Sequence, residues 1–479
     1  MKTNYKKSIL ITLLAIISWS NINAQTIAAG GWHSLVVCND STVKAFGENA
    51  SGELGDGTNT DSNTPVLAIG LTEIISVSGG GDQLEAHSLA LKSDGTVWSW
   101  GSNIYGGLGN GSTDNTNTPG QLLVLTDIMA ISAGGWHSSA LKNDSTVWVW
   151  GWNTDGQLGD GTVVDKIVPK KVNGLTGIKA IAAGTYHMLA LKSDGSVWAW
   201  GDNISGQIGD GSTTDRTTPT QVIGLTGVIK IAAGRFFSLA VKSDGTVWTW
   251  GENLYGQLGN GTTTNSSVPV QVSGLTGITT ATTATGAFHC MAVKSDNTVW
   301  AWGRNSYGNL GDGSVEHKST PVQMSGIADV EGLAAGTNFS LLYKNDGTFW
   351  GCGRNTSGQL GDGTFLQRNT VVQATSLCPI MQPTGIIIQN DFSFDKITAF
   401  PNPSSNGKFT IEIKDSKWKL TDNKIEVYNV IGEKVFQSAV SLQITNTPIA
   451  IDLSEQPNGI YFTIIVSGEY KFYQKLIKQ

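Results

Sequence analysis

Short alternations of apolar and polar residues recur along most of the chain and predict many short β-strands. Residues 189–192 and 197–200 are β-prone runs, and the Ser-Asp-Gly-Ser between them is typical of a tight hairpin turn. Further strands are expected at 218–222 and 229–232. This pattern predicts four short strands in each unit of about 50 residues, which is the content of one β-propeller blade.

The unit repeats at a nearly constant period. The segment W-x-W-G-x-N-x-x-G-Q-L-G-D-G and its variants recur with their glycines at Gly101, Gly151, Gly201, Gly251 and Gly303, and degraded copies lie at Gly47 and Gly353. The steps between these seven glycines are 54, 50, 50, 50, 52 and 50 residues. Such periodicity indicates a solenoid or a propeller, and seven blades that close on themselves leave no open sheet edge. The chain is therefore predicted to be all-β, with a seven-bladed β-propeller.

The two ends of the chain differ from the repeats. Residues 1–24 resemble a secretory signal peptide, with Lys2, Lys6 and Lys7 before an apolar run at 8–17 that is too short to cross a bilayer. A membrane anchor is the alternative for this segment. The repeats occupy residues 25–378, a linker is expected at 379–395, and residues 396–479 form a separate C-terminal domain.

The repeated blocks A-A-G-x-x-H-S-L-A-L, S-D-G-T-V-W-x-W-G and G-Q-L-G-D-G resemble the regulator-of-chromosome-condensation (RCC1) repeat, which implies a seven-bladed propeller over about 350 residues. Kelch repeats are the alternative, with a similar period but a different pattern. The tail has Phe-Pro-Asn-Pro at 400–403, IEVYNVIGEKV at 425–435 and LSEQPNGIYFTIIV from Leu453. It resembles the type A sorting domain of the Bacteroidetes type IX secretion system, which implies a small β-sandwich. An unrelated β-domain is the alternative.

Charge argues against the partners of the family's namesake. The chain carries −7, the leader +3 and residues 391–479 none, which leaves −10 for the propeller region. An acidic surface lacks the electrostatic attraction on which nucleic-acid binding depends. The resemblance implies chromatin and a small GTPase as partners of that family member, but neither nucleic acid nor a small GTPase is expected here, and no cofactor is expected.

The recurrent polar residues are interpreted as structural. Histidines recur at 33, 87, 137, 187 and 289, and each is expected to bond within its own blade. Aspartates recur in the Gly-Asp-Gly loops and fit turn chemistry. Calcium at pairs such as Asp160 and Asp165 is the alternative, but no metal site is assigned. The scattered cysteines suit no metal site; a disulfide between Cys352 and Cys378, or free buried thiols, is expected.

The loops that differ between blades are the candidate binding site. A hairpin places the loop before each His and the loop after each W-x-W-G on one face of the disc, with the Asp-Gly turns on the other. Aromatic and charged residues in these loops give the candidate site: Trp32, Trp136, Trp152, Tyr186, Arg235, Phe236, Phe288, Asp82 and Glu85. Packing of these rings into the disc is the alternative.

These observations predict a secreted or surface-exposed module, not an enzyme, that binds an extracellular protein or glycan or acts in adhesion and engages the type IX secretion machinery through residues 396–479. The resemblance adds two precedents for this face, a secreted β-lactamase inhibitor and a plant ultraviolet receptor. The receptor's arginine after Trp is missing here, because Trp32 and Trp136 precede histidines. An extracellular enzyme acting on polysaccharide, or an enzyme inhibitor, is the alternative. The enzyme would use carboxylates, and Asp82, Glu85 and Asp155 are the non-repeating acids expected on this face.

Overall fold

The computed structural model describes residues 27–82, 85–344, 346–375, 378, 397–402, 404–413, 423–429, 434–440, 449–467 and 470–478. The predicted leader and linker lie outside these residues. The chain divides into two compact units, residues 1–379 and 380–479. All regular secondary structure in the described residues is β-strand. None of it is a helix long and apolar enough to cross a bilayer.

The first unit contains seven four-stranded antiparallel sheets, each built from one contiguous stretch of chain. Blades one to four consist of β1 (Ile27–Ala29), β2 (His33–Val37), β3 (Val43–Gly47), β4 (Ser62–Leu67); β5 (Ile74–Gly79), β6 (His87–Lys92), β7 (Val97–Gly101), β8 (Thr116–Gln121); β9 (Ile128–Ala133), β10 (His137–Lys142), β11 (Val147–Gly151), β12 (Lys166–Lys171); β13 (Ile178–Ala183), β14 (His187–Lys192), β15 (Val197–Gly201), β16 (Arg216–Gln221). Blades five to seven consist of β17 (Val228–Ala233), β18 (Phe237–Lys242), β19 (Val247–Gly251), β20 (Ser266–Gln271); β21 (Ile278–Thr282), β22 (His289–Lys294), β23 (Thr298–Gly303), β24 (Lys318–Ala328); β25 (Val330–Ala335), β26 (Phe339–Lys344), β27 (Phe349–Gly353), β28 (Arg368–Gln373).

The central hairpin of each blade is as predicted, but the fourth strand is not. In blade four, the Asp194 carboxylate accepts hydrogen bonds from the backbone N and the hydroxyl of Ser196, and Gly195 has φ +83°. The apolar strand expected to complete this blade, at residues 229–232, instead pairs with β18 and starts blade five. The free edge of β14 is covered by β13, which precedes it. Each blade therefore begins with its innermost strand.

The hydrophobic core lies between blades. Among the described residues, seven clusters of buried apolar side chains each join two neighbouring blades. One of these seven clusters joins the last blade to the first. The second tryptophan of each W-x-W segment is fully buried there, and its indole N–H donates to a carbonyl of the preceding blade, as Trp200 does to Gln157 at 2.9 Å. These second tryptophans are part of the core between blades. The first tryptophans are only half-buried.

The repeated histidines link blades, so the prediction that they bond within a blade is wrong. His33 Nε2 lies 2.9 Å from the Ser88 hydroxyl, which donates to the Glu53 carbonyl. The same link joins His87 to Ser138, His187 to Ser238 and His289 to Ser340. The ring reaches the neighbouring blade because the preceding glycine leaves room: a Cβ on Gly30 would lie 2.2 Å from the His33 ring.

A disulfide closes the ring. Cys38, just after β2 in blade one, bonds to Cys378, which follows blade seven, across 340 residues of sequence. The expected Cys352–Cys378 pair is wrong, because Cys352 faces inward with its Sγ 3.5 Å from the Asn309 carbonyl. Cys290 and Cys352 are free and buried, as in the alternative. A disulfide of this kind forms and persists in an oxidising compartment.

The second unit contains two packed sheets. Strands β29 (Ile397–Phe400), β30 (Lys408–Ile413) and β33 (Ile449–Asp452) form one; β31 (Asn423–Asn429), β32 (Lys434–Val440), β34 (Gly459–Ser467) and β35 (Tyr470–Lys478) form the other. Phe409 and Ile451 from the first sheet share a core with Val427 and Leu476 from the second. The predicted small β-sandwich is confirmed.

Candidate functional site

Both variable loops of a blade lie on one face of the disc, called the loop face here. In blade four, His187 pairs with Gly201, so the loop before the histidine and the loop after the W-x-W-G segment leave the sheet at the same end. The backbone N–H of Asp202 donates to the Tyr186 carbonyl at 3.0 Å and fixes one loop against the other. The Asp194-Gly195 turn lies at the opposite end of the strands.

Four aromatic rings from blades two, three and four form one group, called the aromatic cluster. Its members are Tyr105, Trp136, Trp152 and Tyr186. The Trp152 ring lies 5.2 Å from Trp136, 5.7 Å from Tyr186 and 5.9 Å from Tyr105. Tyr105 is exposed and the other three are half-buried. The edge-to-face geometry stabilises the group by about 0.5–1.5 kcal/mol per pair, so it is a firm platform with one face open to solvent.

The contacts continue from this cluster into blades five and six. Phe236 stacks on Tyr186 with ring centroids 4.9 Å apart. The Arg235 guanidinium lies between Phe236 and Phe288, 5.4 and 5.1 Å from their centroids. Arg304 then lies over Phe288. Six of the predicted residues thus belong to one continuous series of contacts, in which Arg235 is partly exposed and Phe288, at 7% exposure, is buried.

Trp32 belongs to a different group. The Arg354 guanidinium lies 4.0 Å from the Trp32 ring centroid, and the same guanidinium lies over Tyr307 at 5.7 Å. Among the described residues, no ring contact joins Trp32 to the aromatic cluster. The candidate residues therefore divide into two groups on the loop face.

Asp82, which lies before β6 of blade two, contacts blade five across the loop face. Asp82, which is 4% exposed, lies 2.7 Å from Arg235 of blade five and accepts a hydrogen bond from the Tyr186 hydroxyl at 3.3 Å. Burial raises the pKa of Asp82 and the Arg235 charge opposes this. Glu85 accepts a hydrogen bond from Ser102 at 2.6 Å. Asp82 and Arg235 are committed to each other, so they hold the surface together and are not free to bind a ligand.

The cavity at the centre of the propeller is lined by side chains of low reactivity. Gly286 N–H of blade six donates to the Thr185 hydroxyl of blade four at 2.8 Å, which bridges the mouth. The central cavity has a volume of about 150 Å³ and is lined only by Ala, Gly, Ser, Thr and Ile side chains. Among the described residues, none of the side chains that line it could act as a general acid or base.

The repeated histidines and aspartates have structural roles. Burial lowers the pKa of His187 to about 3, so the ring is neutral. Asp160 accepts from the Thr162 backbone and pairs with Lys166, while Asp165 accepts from the Asn153 backbone at 2.8 Å. Among the described residues, no three His, Cys, Asp or Glu side chains are grouped to hold a metal ion.

Two features of the loop face were not predicted from the sequence. The residue after the repeated loop asparagine is an exposed aliphatic in three blades, namely Ile104, Ile204 and Leu254, with 43%, 73% and 63% exposure. The expectation that Asp82, Glu85 and Asp155 were the non-repeating acids of this face is wrong, because the loops also carry Glu48, Glu53, Asp202 and Glu252. The aliphatic residues and the additional acids both become visible in the sequence when the repeats are aligned by the glycine of their W-x-W-G segments.

Comparison with known families agrees with the fold. Residues 5–285 match the RCC1-like domain, residues 296–343 match the RCC1 repeat, and a second RCC1 repeat model matches 281–309 and 330–359. Residues 398–479 match the secretion system C-terminal sorting domain. That match indicates type IX secretion to the cell surface or the extracellular space.

Individual relatives are similar over short parts. The mouse E3 ubiquitin-protein ligase HERC2 is 36% identical over 108 residues, 22% of this chain and 2% of that protein. The Arabidopsis thaliana ultraviolet-B receptor UVR8 is 32% identical over 130 residues, 26% of this chain and 29% of that protein. This chain thus spans under a third of either relative.

Solved structures share the fold. Human WBSCR16 superposes with a TM-score of 0.58 at 24% identity, over 65% of this chain and 83% of that one. Prp20p from Saccharomyces cerevisiae, described with its binding to Gsp1p and histones, gives 0.60 at 22% identity, over 74% and 86%.

Proposed function

Because this chain belongs to the family of RCC1-like domains and ends in a secretion sorting domain, we propose that it is an exported module that binds an extracellular protein through its loop face. Residues 1–24 would direct the chain into the periplasm. Residues 396–479 would engage the type IX machinery, and the linker 379–395 would separate that tail from the propeller of residues 25–378.

The aromatic cluster is the observation that carries this proposal. Binding surfaces are commonly built on loops held by a rigid scaffold, and their strongest contacts are large rings surrounded by weaker ones. Trp152 is suited to this role because its ring contacts three other rings and is still partly exposed to solvent. Rings needed only for the core would be covered, as Trp200 is.

A protein partner is favoured over a glycan by the exposed aliphatic residues. Ile104 of blade two adjoins Tyr105 of the cluster. Ile204 and Leu254 occupy the same loop position in blades four and five. Glycans use aromatic platforms with polar neighbours, whereas protein interfaces bury aliphatic and aromatic side chains together. The partners of the structural relatives, such as histones, would meet an acidic surface here.

The test compares binding by matched variants of the exported protein. The immobilised protein is probed with surface and secreted proteins of its own host and, in parallel, with an array of glycans. Ile204→Ser and Trp152→Ala are each expected to weaken capture of a protein partner, the tryptophan variant by about thirtyfold if it is a hot spot worth about 2 kcal/mol.

Asp194→Asn, on the opposite face, is the control and should bind as the wild type does. Trp152→Ala removes ring contacts and will also lower the melting temperature, so Ile204→Ser is the cleaner probe. Binding that survives both loop-face variants, or binding to glycans alone, would contradict the proposal.

A further inference from the structure

The first blade departs from the others at one pair of loop positions. The residue after the W-x-W-G glycine and the residue five positions later are Asp202 and Gln207 in blade four, and Glu252 and Gln257 in blade five. In blade one the corresponding residues are Glu48 and Glu53, two acids.

The intact pairs show what these positions do. Gln207 Nε2 donates to the Asp202 carboxylate at 2.9 Å, and Gln257 Nε2 donates to Glu252 at 3.0 Å. The other amide atom, Oε1, accepts the N–H of Ser205 or Tyr255. The position therefore requires an acceptor that caps the loop and a donor that faces the acid.

Glu53 satisfies only the first requirement. Its Oε2 accepts the Ser51 N–H at 2.8 Å, as the glutamine Oε1 does elsewhere. Its Oε1 therefore occupies the place of the glutamine Nε2, opposite Glu48. Glu53 Oε1 and Glu48 Oε2 are both buried and have no hydrogen-bond partner among the described residues; Glu53 is 0% exposed and Glu48 is 6% exposed. Two facing carboxylate oxygens have no donor between them.

We propose that Glu48 and Glu53 hold one proton between them, so that one acid donates a hydrogen bond to the other and the pair forms a titratable site on the loop face. A protonated carboxyl supplies the donor that glutamine supplies in blades four and five. Two buried carboxyl groups that face each other cannot both ionise without a large penalty.

The surrounding charges agree with this assignment. Burial, then the facing Glu53, raises the pKa of Glu48 to about 8, and burial raises that of Glu53 to about 7. Asp61 acts in the same direction on both, Glu85 acts so on Glu53, and Arg354 opposes the shift at Glu48. A calcium ion is disfavoured, because the site offers two carboxylates and a backbone N–H where calcium takes six to eight oxygens.

The pair should make stability fall as the pH rises. The folded state retains a proton that the unfolded chain loses near the ordinary glutamate pKa of about 4.3. The contribution of this pair to the free energy of unfolding therefore decreases from about pH 5 to about pH 8, where the last proton leaves the folded pair. The ionised pair then lies beside Arg354, the cation that packs on Trp32.

The test uses the purified protein and Glu53→Gln, which restores the residue of blades four and five. Difference infrared spectra at pH 7 should show the C=O stretch of a protonated carboxyl in the wild type, lost in Glu53→Gln and in Glu48→Gln. The Glu53→Gln melting temperature should exceed that of the wild type at pH 8.5, and the gap should narrow at pH 5.5. Glu252→Gln in blade five is the control and should leave the protonated carboxyl signal in place.

Three results would overturn the proposal. The carboxyl signal could be absent from the wild type at pH 7, or it could persist in both variants. Calcium could also stabilise the wild type but not Glu53→Gln at neutral pH, which would make this a cation site.

Discussion

Removal of the Cys38–Cys378 disulfide should destabilise the propeller more than any single loop change. Each blade is one contiguous stretch of chain, so among the described strands none from one end completes a sheet at the other. Blades one and seven meet through side chains, such as Ile27 against Leu341, through the backbone hydrogen bonds of Thr337 N–H to Gly31 and Gly363 N–H to Asn63, and through this bond. In its absence the first and last blades can separate without breaking a sheet.

The magnitude follows from the length of the closed loop. Cross-linking residues 340 apart reduces the entropy of the unfolded chain, and the chain-entropy relation gives about 6 kcal/mol at 25 °C. Disulfides typically deliver about 2–4 kcal/mol, so a loss of at least 2 kcal/mol is expected. Part of that loss should appear as early opening of the blade one–blade seven interface.

The assay is urea unfolding of wild type and the Cys38→Ser/Cys378→Ser double variant. The midpoint should fall in the variant, and a reducing agent should lower the wild-type midpoint to the same value without affecting the variant. Unreduced, denatured wild type should contain two free thiols, Cys290 and Cys352. Four free thiols, or equal midpoints with the disulfide formed, would refute the reasoning.

Further predictions concern the histidine links, acid stability and the tail. Among the described residues His137 Nε2 has no partner, because Met188 stands where other blades have serine; Met188→Ser removes a fully buried side chain but supplies that partner, so it should lower the urea midpoint less than Leu189→Ser, which supplies none. The buried histidines have pKa values lowered by burial, to about 3 for His187 and about 4 for His87. The unfolded state binds more protons below pH 6.5, so the free energy of unfolding should fall as the pH drops from about 6.5 to 4, followed by circular dichroism, and His187→Phe should flatten that slope. Deleting residues 396–479 should leave the propeller in the periplasm of its host; its arrival in the medium would contradict the sorting assignment.

The repeats made most of the fold predictable from the sequence. A constant spacing fixes the number of blades, and the W-x-W segment identifies the strand whose second ring enters the inter-blade core. The loop face followed from hairpin geometry alone, and it places Trp136 beside Trp152. These are local or periodic features, which a single chain displays directly.

The errors concern contacts between blades. A histidine followed by serine reads as a local motif, yet the hydroxyl that His33 contacts lies 55 residues away. The sequence equally leaves open which strand begins a sheet and which cysteines close the ring, because both depend on the ring being assembled. Asp82 looked like an accessible ligand-binding acid, and its pairing with Arg235 three blades away could not be read from spacing.

Seven copies of one unit also act as internal controls for each other. Where Phe237 replaces histidine in blade five, the facing residue of blade six is Cys290 instead of serine, and its thiol keeps the contact to the Gln257 carbonyl at 3.7 Å. Where His137 keeps its ring but Met188 removes the hydroxyl, the buried Nε2 has no partner among the described residues. The first departure is compensated and the second is not. Glu53 is also a departure that no other residue compensates, unless a proton supplies the missing hydrogen-bond donor. Its hydrogen bond from Ser51 N–H is intact, and only the atom that faces Glu48 differs from the glutamine of blades four and five. An uncompensated departure on the loop face is therefore a sign of chemistry that the other blades do not need.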